Sequence, residues 1–241
     1  MSNIYSELTF KYPTCKEEDE FRQDYNRRML ERLLSTMKIN VDPILAGVTE
    51  DNRYTCGIVA RPSESLTEKV QLIQNIIKSS VKANQALWFL PPELLHLTVL
   101  EIALLLPKSS IMKIVEEVLP HIETILRIAN DGPVLNEPLI CFDSNAIAVS
   151  FTSVGKCSSR YRQDVFESVS LYDIKAQPRY LSPTMHITIV RFVKELDEED
   201  IKSLLQKVDE LNSSIQNFEW KVSKCELNYG LGWYGQPKKG I

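Results

Sequence analysis

Two short stretches of this chain are spelled almost alike: Leu95 to Val99 and Met185 to Ile189 each read apolar, His, apolar, Thr, apolar. In an extended strand successive side chains leave on opposite faces, so His96 and Thr98 project together from one side while Leu97 and Val99 project from the other. His186 and Thr188 do the same in the second stretch. The chain has 3 histidines, and two of them carrying Thr two positions on arises by chance about one time in two hundred. Any fold for this chain must therefore hold two strands whose polar faces serve one site.

At 241 residues and 44% hydrophobic, the chain is long enough to bury a real core, as one large domain or two small lobes. A formal net charge of -4 argues against broad capture of duplex nucleic acid, which needs a basic face. A nucleic-acid substrate has to be small or held at one end. The 5 cysteines, Cys15, Cys56, Cys141, Cys157 and Cys225, are scattered and odd in number with no C-x-x-C pair, so free thiols in a reducing compartment are expected. The start of the chain has no apolar signal region, and no window of about 18 consecutive apolar residues follows. A soluble cytoplasmic protein, with a nuclear location left open, and a monomer without membrane contact are the expectations.

Residues 1–52 read as a helical extension, since Phe21, Tyr25, Met29, Leu33, Leu34 and Met37 recur at helical spacing among charges. From 53 onward strands and helices alternate. Tyr54 to Ala60 is β-rich; Ser65 with Glu68 suggests a capping box for a helix with a stripe at Leu66, Val70, Ile73 and Ile77. Ala86 to Leu90 precedes the first His-x-Thr strand, and a helical stretch interrupted at Pro120 follows it. His121, beside that proline, lacks a Thr partner and reads as a surface residue. Asp131, Gly132 and Pro133 mark an internal boundary. Beyond it come strands at 139–142 and 146–152, a helix to Leu171, the second His-x-Thr strand, a helix capped by Asp197, and a final strand from Phe218 to Leu227. The order reads as two related halves, 53–132 and 133–241, each with one motif. Gly230, Gly232 and Gly235 spell G-x-G-x-x-G, but no helix can follow, so the match reads as a glycine-rich tail.

Two imidazoles and two hydroxyls at one site suit displacement at phosphorus. Imidazole titrates near ~6.5, so one ring can take a proton from the nucleophile while the other gives one to the departing oxygen. Thr hydroxyls can donate to the non-bridging oxygens, where charge must be held. Neither metal nor cofactor is required. Zinc would want a third fixed ligand, which the cysteine spacing does not offer, and the absence of G-x-S-x-G speaks against a serine hydrolase.

Leu87 to Val99, with its proline-containing lead-in, and Pro183 to Arg191 resemble the two signature segments of the two-histidine phosphoesterase superfamily. Within it they are most similar to the 2'-5' RNA ligase and cyclic nucleotide phosphodiesterase branch, over roughly Tyr54 to Trp233. The resemblance implies an α+β fold of two pseudo-symmetric lobes, with antiparallel sheets lining a central groove and helices outside. It implies metal-independent hydrolysis of a cyclic phosphodiester, an RNA 2',3'-cyclic phosphate or a 2'-5' linkage, with His96, Thr98, His186 and Thr188 as catalytic tetrad and a nucleotide or RNA end as partner. Acid and base are not assigned between the rings, which titrate as a pair. Some relatives of this kind serve as nucleotide- or RNA-end-binding modules, so a site that grips phosphate without turnover is the alternative. Arg191 fits a substrate-binding position, yet strict alternation puts it on the face opposite His186 unless the strand bulges. Trp88, Tyr180 and Trp233 are aromatic candidates for base stacking, each equally at home in a core.

Overall fold

The computed structural model describes residues 4–50, 52, 54–178, 182–215 and 217–231. Two helices, α1 (Ile4–Lys11) and α2 (Cys15–Thr36), precede β1 (Tyr54–Ala60), α3 (Glu64–Ser79), β2 (Leu87–Phe89) and β3 (Leu97–Leu106). Then come α4 (Lys108–Val118), α5 (Ile122–Ala129), β4 (Val134–Phe142), β5 (Ala146–Val154), α6 (Ser158–Ser170), β6 (Met185–Phe192), α7 (Glu198–Ser214), β7 (Trp220–Lys221) and β8 (Cys225–Leu231). The fold is α+β. The strands run antiparallel in the order β7-β4-β5-β6-β3-β1-β8, with β2 also on β6.

The two parts of the sheet meet at a single residue pair, Leu97 opposite Ile187. Both side chains are fully buried, so the seam is sealed by apolar packing. The parts are not chain-contiguous: β2, from before the internal boundary, sits on β6, and β8, from the chain's end, sits on β1. A division into 53–132 and 133–241 therefore does not coincide with the two parts of the sheet, because β2 and β8 each pair with a strand from the other half. At the boundary itself Gly132 donates to the Val222 carbonyl, and a Cβ on Gly132 would lie 2.6 Å from Val222.

Local capping differs in two places from the sequence reading. The cap of α3 is Ser63, whose hydroxyl accepts from the Leu66 amide, not Ser65. The final strand is two, β7 and β8, because Val222 turns aside to pair with Pro133 and Gly132. Around Pro120 a short turn, Leu119–His121, joins α4 to α5, as a proline without an amide donor requires. Residues 232–241, including Gly232 and Gly235 of the G-x-G-x-x-G match and Trp233, lie outside the described residues, as does Tyr180.

The N-terminal helices are built into the body. Thr14 and Glu17 form a capping box that starts α2. One turn on, the Glu18 carboxylate accepts from the amides of Ser158 (2.7 Å) and Ser159 (2.9 Å) and from the Ser159 hydroxyl. It satisfies the first amides of α6, where Cys157 supplies no side-chain cap. Arg22, buried, is paired with Asp19 and donates to the Glu137 carbonyl, to Ser150 and to the Thr152 hydroxyl. Burial by itself would raise the Asp19 carboxyl, but the Thr152 hydrogen bond and the Arg22 charge outweigh it and hold the group below its ordinary range.

Glu18 also draws the two helix starts together, and there Cys15 and Cys157 are joined in a disulfide across 142 positions of sequence. The expectation of five free thiols is thus corrected: Cys15 and Cys157, two cysteines with no local spacing signal, meet through tertiary contacts. Among the described residues no helix is long and apolar enough to cross a membrane.

Candidate active site

The Leu97–Ile187 pair sets the geometry of both motifs. Extending its antiparallel register by one residue each way puts His96 opposite Thr188 and Thr98 opposite His186. All four are half-buried on one face, while Leu97 and Ile187 fill the other. The four candidate residues thus form a diagonal arrangement, each histidine facing the other motif's threonine. His96 precedes the first regular residue of β3 and is held by its own lead-in. Its Nδ1 lies 2.7 Å from the Leu94 carbonyl. Since a carbonyl only accepts, Nδ1 carries the hydrogen and Nε2 is the ring's acceptor. Arg61, following β1, donates to the carbonyls of Glu93 and Leu95 and pairs with Glu226 at 2.8 Å, which fixes this lead-in.

Both strands bulge at the same point of the motif. On β6, Thr188 pairs with Ala148 and Val190 with Ile147, which leaves Ile189 without a partner on β5. On β3, Thr98 pairs with Val59 and Leu100 with Ile58, which leaves Val99 without one on β1. An extra residue shifts the alternation that follows. Ile189 and Val190 are both buried and Arg191 is half-buried, so Arg191 returns to the face of His186 and Thr188. The strict alternation that would have sent it away is broken by the bulge. Trp88 stands opposite Arg191 in the β2–β6 pair and shares its face. By the same shift Glu101, 9% exposed, joins the face of Thr98.

A cavity of about 50 Å³ is lined by Tyr5, Thr98, Val99, Glu101, Arg162, Pro178, Ser182, Thr184 and His186. It reaches Thr98 and His186 but not His96 or Thr188. Small-molecule sites span roughly 300–1,000 Å³, so a ligand of ordinary size seated on the four residues would extend past this space. Tyr5 brings α1 to the site, and Ser150, opposite His186 on β5, is bonded by Arg22 of α2. The first two helices therefore wall the same face as the tetrad. A larger hollow of about 680 Å³, lined by Arg22, Asn26, Glu137 and Asn212 among others, holds none of the four motif residues. Among the described residues no group of three or more His, Cys, Asp or Glu could hold a metal ion. His121 stacks on Tyr172 with ring centroids 3.7 Å apart, a contact outside the site.

Burial depresses both imidazoles to about 4. For His96 the Leu94 carbonyl opposes this, Arg61 adds to it and Glu226 opposes it. For His186 every further influence acts in the same direction as burial: Arg162, then Arg191, then His96. An unfolded histidine titrates near ~6.5, so between that pH and about 4 the unfolded chain takes up protons the folded chain refuses. Stability contributed by the neutral rings is complete above ~6.5 and lost as pH falls toward 4. The urea midpoint is expected to drop between pH 7 and pH 5, and to drop less in a His96→Asn/His186→Asn protein. An equal drop in both would show that other groups govern it.

No family model matches the chain, and no curated protein sequence matches it. Solved structures do resemble it in overall course. It is similar to TT0787 of Thermus thermophilus at 16% identity and TM-score 0.45, covering 72% of this chain and 86% of that one. It is similar to the MHV ns2 PDE domain at 10% identity and TM-score 0.43, covering 74% and 98%. It is similar to Kluyveromyces marxianus Usb1, solved with uridine monophosphate, at 14% identity and TM-score 0.39, covering 74% and 97%. These likenesses concern the path of the chain; the chemistry rests on the site itself.

The sequence reading missed Arg61, Glu101 and Arg162. None belongs to a local motif, and only the bulges and the packing of α6 bring the last two to the tetrad.

Proposed function

We propose that this chain is a phosphodiesterase that opens a cyclic phosphodiester, such as the 2',3'-cyclic phosphate of a nucleotide or RNA end, without a metal ion. The observation that carries the reading is the diagonal of His96, Thr98, His186 and Thr188 across the Leu97–Ile187 seam. Water attacks phosphorus as one neutral imidazole accepts its proton. The new P–O bond forms, the ring P–O bond breaks, and the other imidazole, protonated, gives its proton to the departing ribose oxygen. The products are a phosphomonoester and a free hydroxyl. Thr98 and Thr188 donate to the non-bridging oxygens, and Arg191 adds a cation on the same face, beside Trp88, whose ring can take a base.

Two rings depressed to about 4 are neutral at pH 7 but weakly basic, and they leave little imidazolium. The bound phosphodiester supplies the correction, because an anion between the rings favours one protonated form, and mutual repulsion keeps the second ring neutral. The formal charge of -4 fits a substrate gripped at one end. Incubating the protein with a panel of 2',3'- and 3',5'-cyclic nucleotides and 2'-5' linked dinucleotides in excess chelator tests the reading. Ring-opened or cleaved product is expected from at least one class; stoichiometric binding without product across the panel would contradict it. That outcome would favour a nucleotide- or RNA-end-binding module.

A further inference from the structure

We propose that Arg162 is a positioning residue of the tetrad: its guanidinium clamps the bulge of the first motif to the segment leading into the second, and so fixes Thr98 against His186. The role deepens the phosphodiesterase reading and rests on it for its kinetic part. Arg162, on α6, is 8% exposed. Its Nη2 donates to the Thr98 carbonyl at 3.1 Å, its Nε to the Val99 carbonyl at 3.2 Å, and its Nη1 to the Ser182 carbonyl.

These carbonyls need such a partner. The bulge takes Val99 out of the ladder with β1, and β3 leaves β6 after one residue pair. Buried carbonyls without a donor are costly, and a planar guanidinium can serve three at once where an ammonium cannot match the fork. The second motif has a matching device of different charge. Gln74, buried on α3, donates through Nε2 to the carbonyl of the bulged Ile189 at 2.8 Å and to that of Leu90 at 3.0 Å. One motif is thus braced by a neutral amide and the other by a cation.

The cation faces the site. Arg162 lines the cavity with Thr98 and His186, and among the described residues its hydrogen-bond partners are carbonyls, not carboxylates. Among the described residues the other charged or titratable groups facing His186 are Arg191 on its own strand, His96 from the lead-in to β3, Glu101 from β3 and Tyr5 from α1.

Arg162→Lys and Arg162→Gln separate fork from charge, with circular dichroism first confirming that each folds. In Arg162→Lys the charge stays and the fork is lost. Its kcat is expected to fall about 10- to 100-fold with KM within about twofold, the signature of misplaced reacting groups, while the His186 titration midpoint, read by NMR of the ring protons, stays near that of the parent protein. In Arg162→Gln the midpoint is expected to rise by about one pH unit. An unchanged kcat in the folded lysine variant, or an unmoved midpoint in the glutamine variant, overturns the assignment. Should the glutamine variant not fold, the lysine variant decides by its kcat and KM. Should the parent protein turn over no member of the panel, the phosphodiesterase reading falls by itself and the titration still decides whether Arg162 faces His186.

Discussion

Alanine in place of His96 or of His186 is expected to lower turnover of the best cyclic substrate by roughly 10²- to 10⁴-fold, with the protein still folded. The size follows from the division of labour. In the proposed mechanism each ring handles one proton on one side of phosphorus, and neither threonine can replace it, since a hydroxyl titrates far outside the neutral range. The two losses should not add: removing one ring leaves the other without a partner step, so the double variant should be little slower than the slower single one. Folding should survive because neither ring is part of the apolar packing at the seam, which belongs to Leu97 and Ile187. Removing a half-buried ring held at about 4 also removes a group that resists protonation, so either variant should be less sensitive to acid than the parent. Near-parental turnover by either alanine variant would remove the basis for the mechanism.

Arg22→Ala is expected to be the most destabilising single change in the first fifty residues, by about 3–5 kcal/mol. It strips one buried partner from Asp19 and leaves the Glu137 carbonyl and the hydroxyls of Ser150 and Thr152 short of a donor. Against a typical domain stability of about 5–15 kcal/mol, this is a large fraction. In sequence this segment reads as a helical extension. Its helices in fact cap α6 through Glu18, bond β5 through Arg22 and reach the cavity through Tyr5. Deleting residues 1–52 should therefore leave an insoluble or molten remainder. A denaturant midpoint for Arg22→Ala within error of the parent, or a soluble, cooperatively folded remainder after deletion, would return the segment to the status of an appendage.

The motif strands, the alternation of helices and strands, the interruption at Pro120 and the cap at Asp197 can be read from local spacing, because each depends on residues within one turn or one strand. What stayed hidden depends on contacts between distant segments. A bulge is a mismatch between two strands, so neither Val99 nor Ile189 signals it alone, and the faces of Glu101 and Arg191 follow only once the partner strands are known. Cys15 and Cys157 carry no spacing signal because a contact between the starts of α2 and α6, made through Glu18, brings them together. Arg162 looks in sequence like one more charge on an amphipathic helix; its value comes from carbonyls that the bulge has released. The exchange of β2 and β8 between the halves is hidden for the same reason, since edge pairing is decided by which strand is left uncovered.

A crystal structure with a 2'- or 3'-nucleotide in the groove tests most directly whether the two motifs make one phosphate site. The expected result is a phosphate with both Thr98 and Thr188 hydroxyls donating to its non-bridging oxygens and the His96 and His186 rings on opposite sides of phosphorus. A phosphate held by only one His-x-Thr pair, or seated away from the Leu97–Ile187 seam, would contradict it.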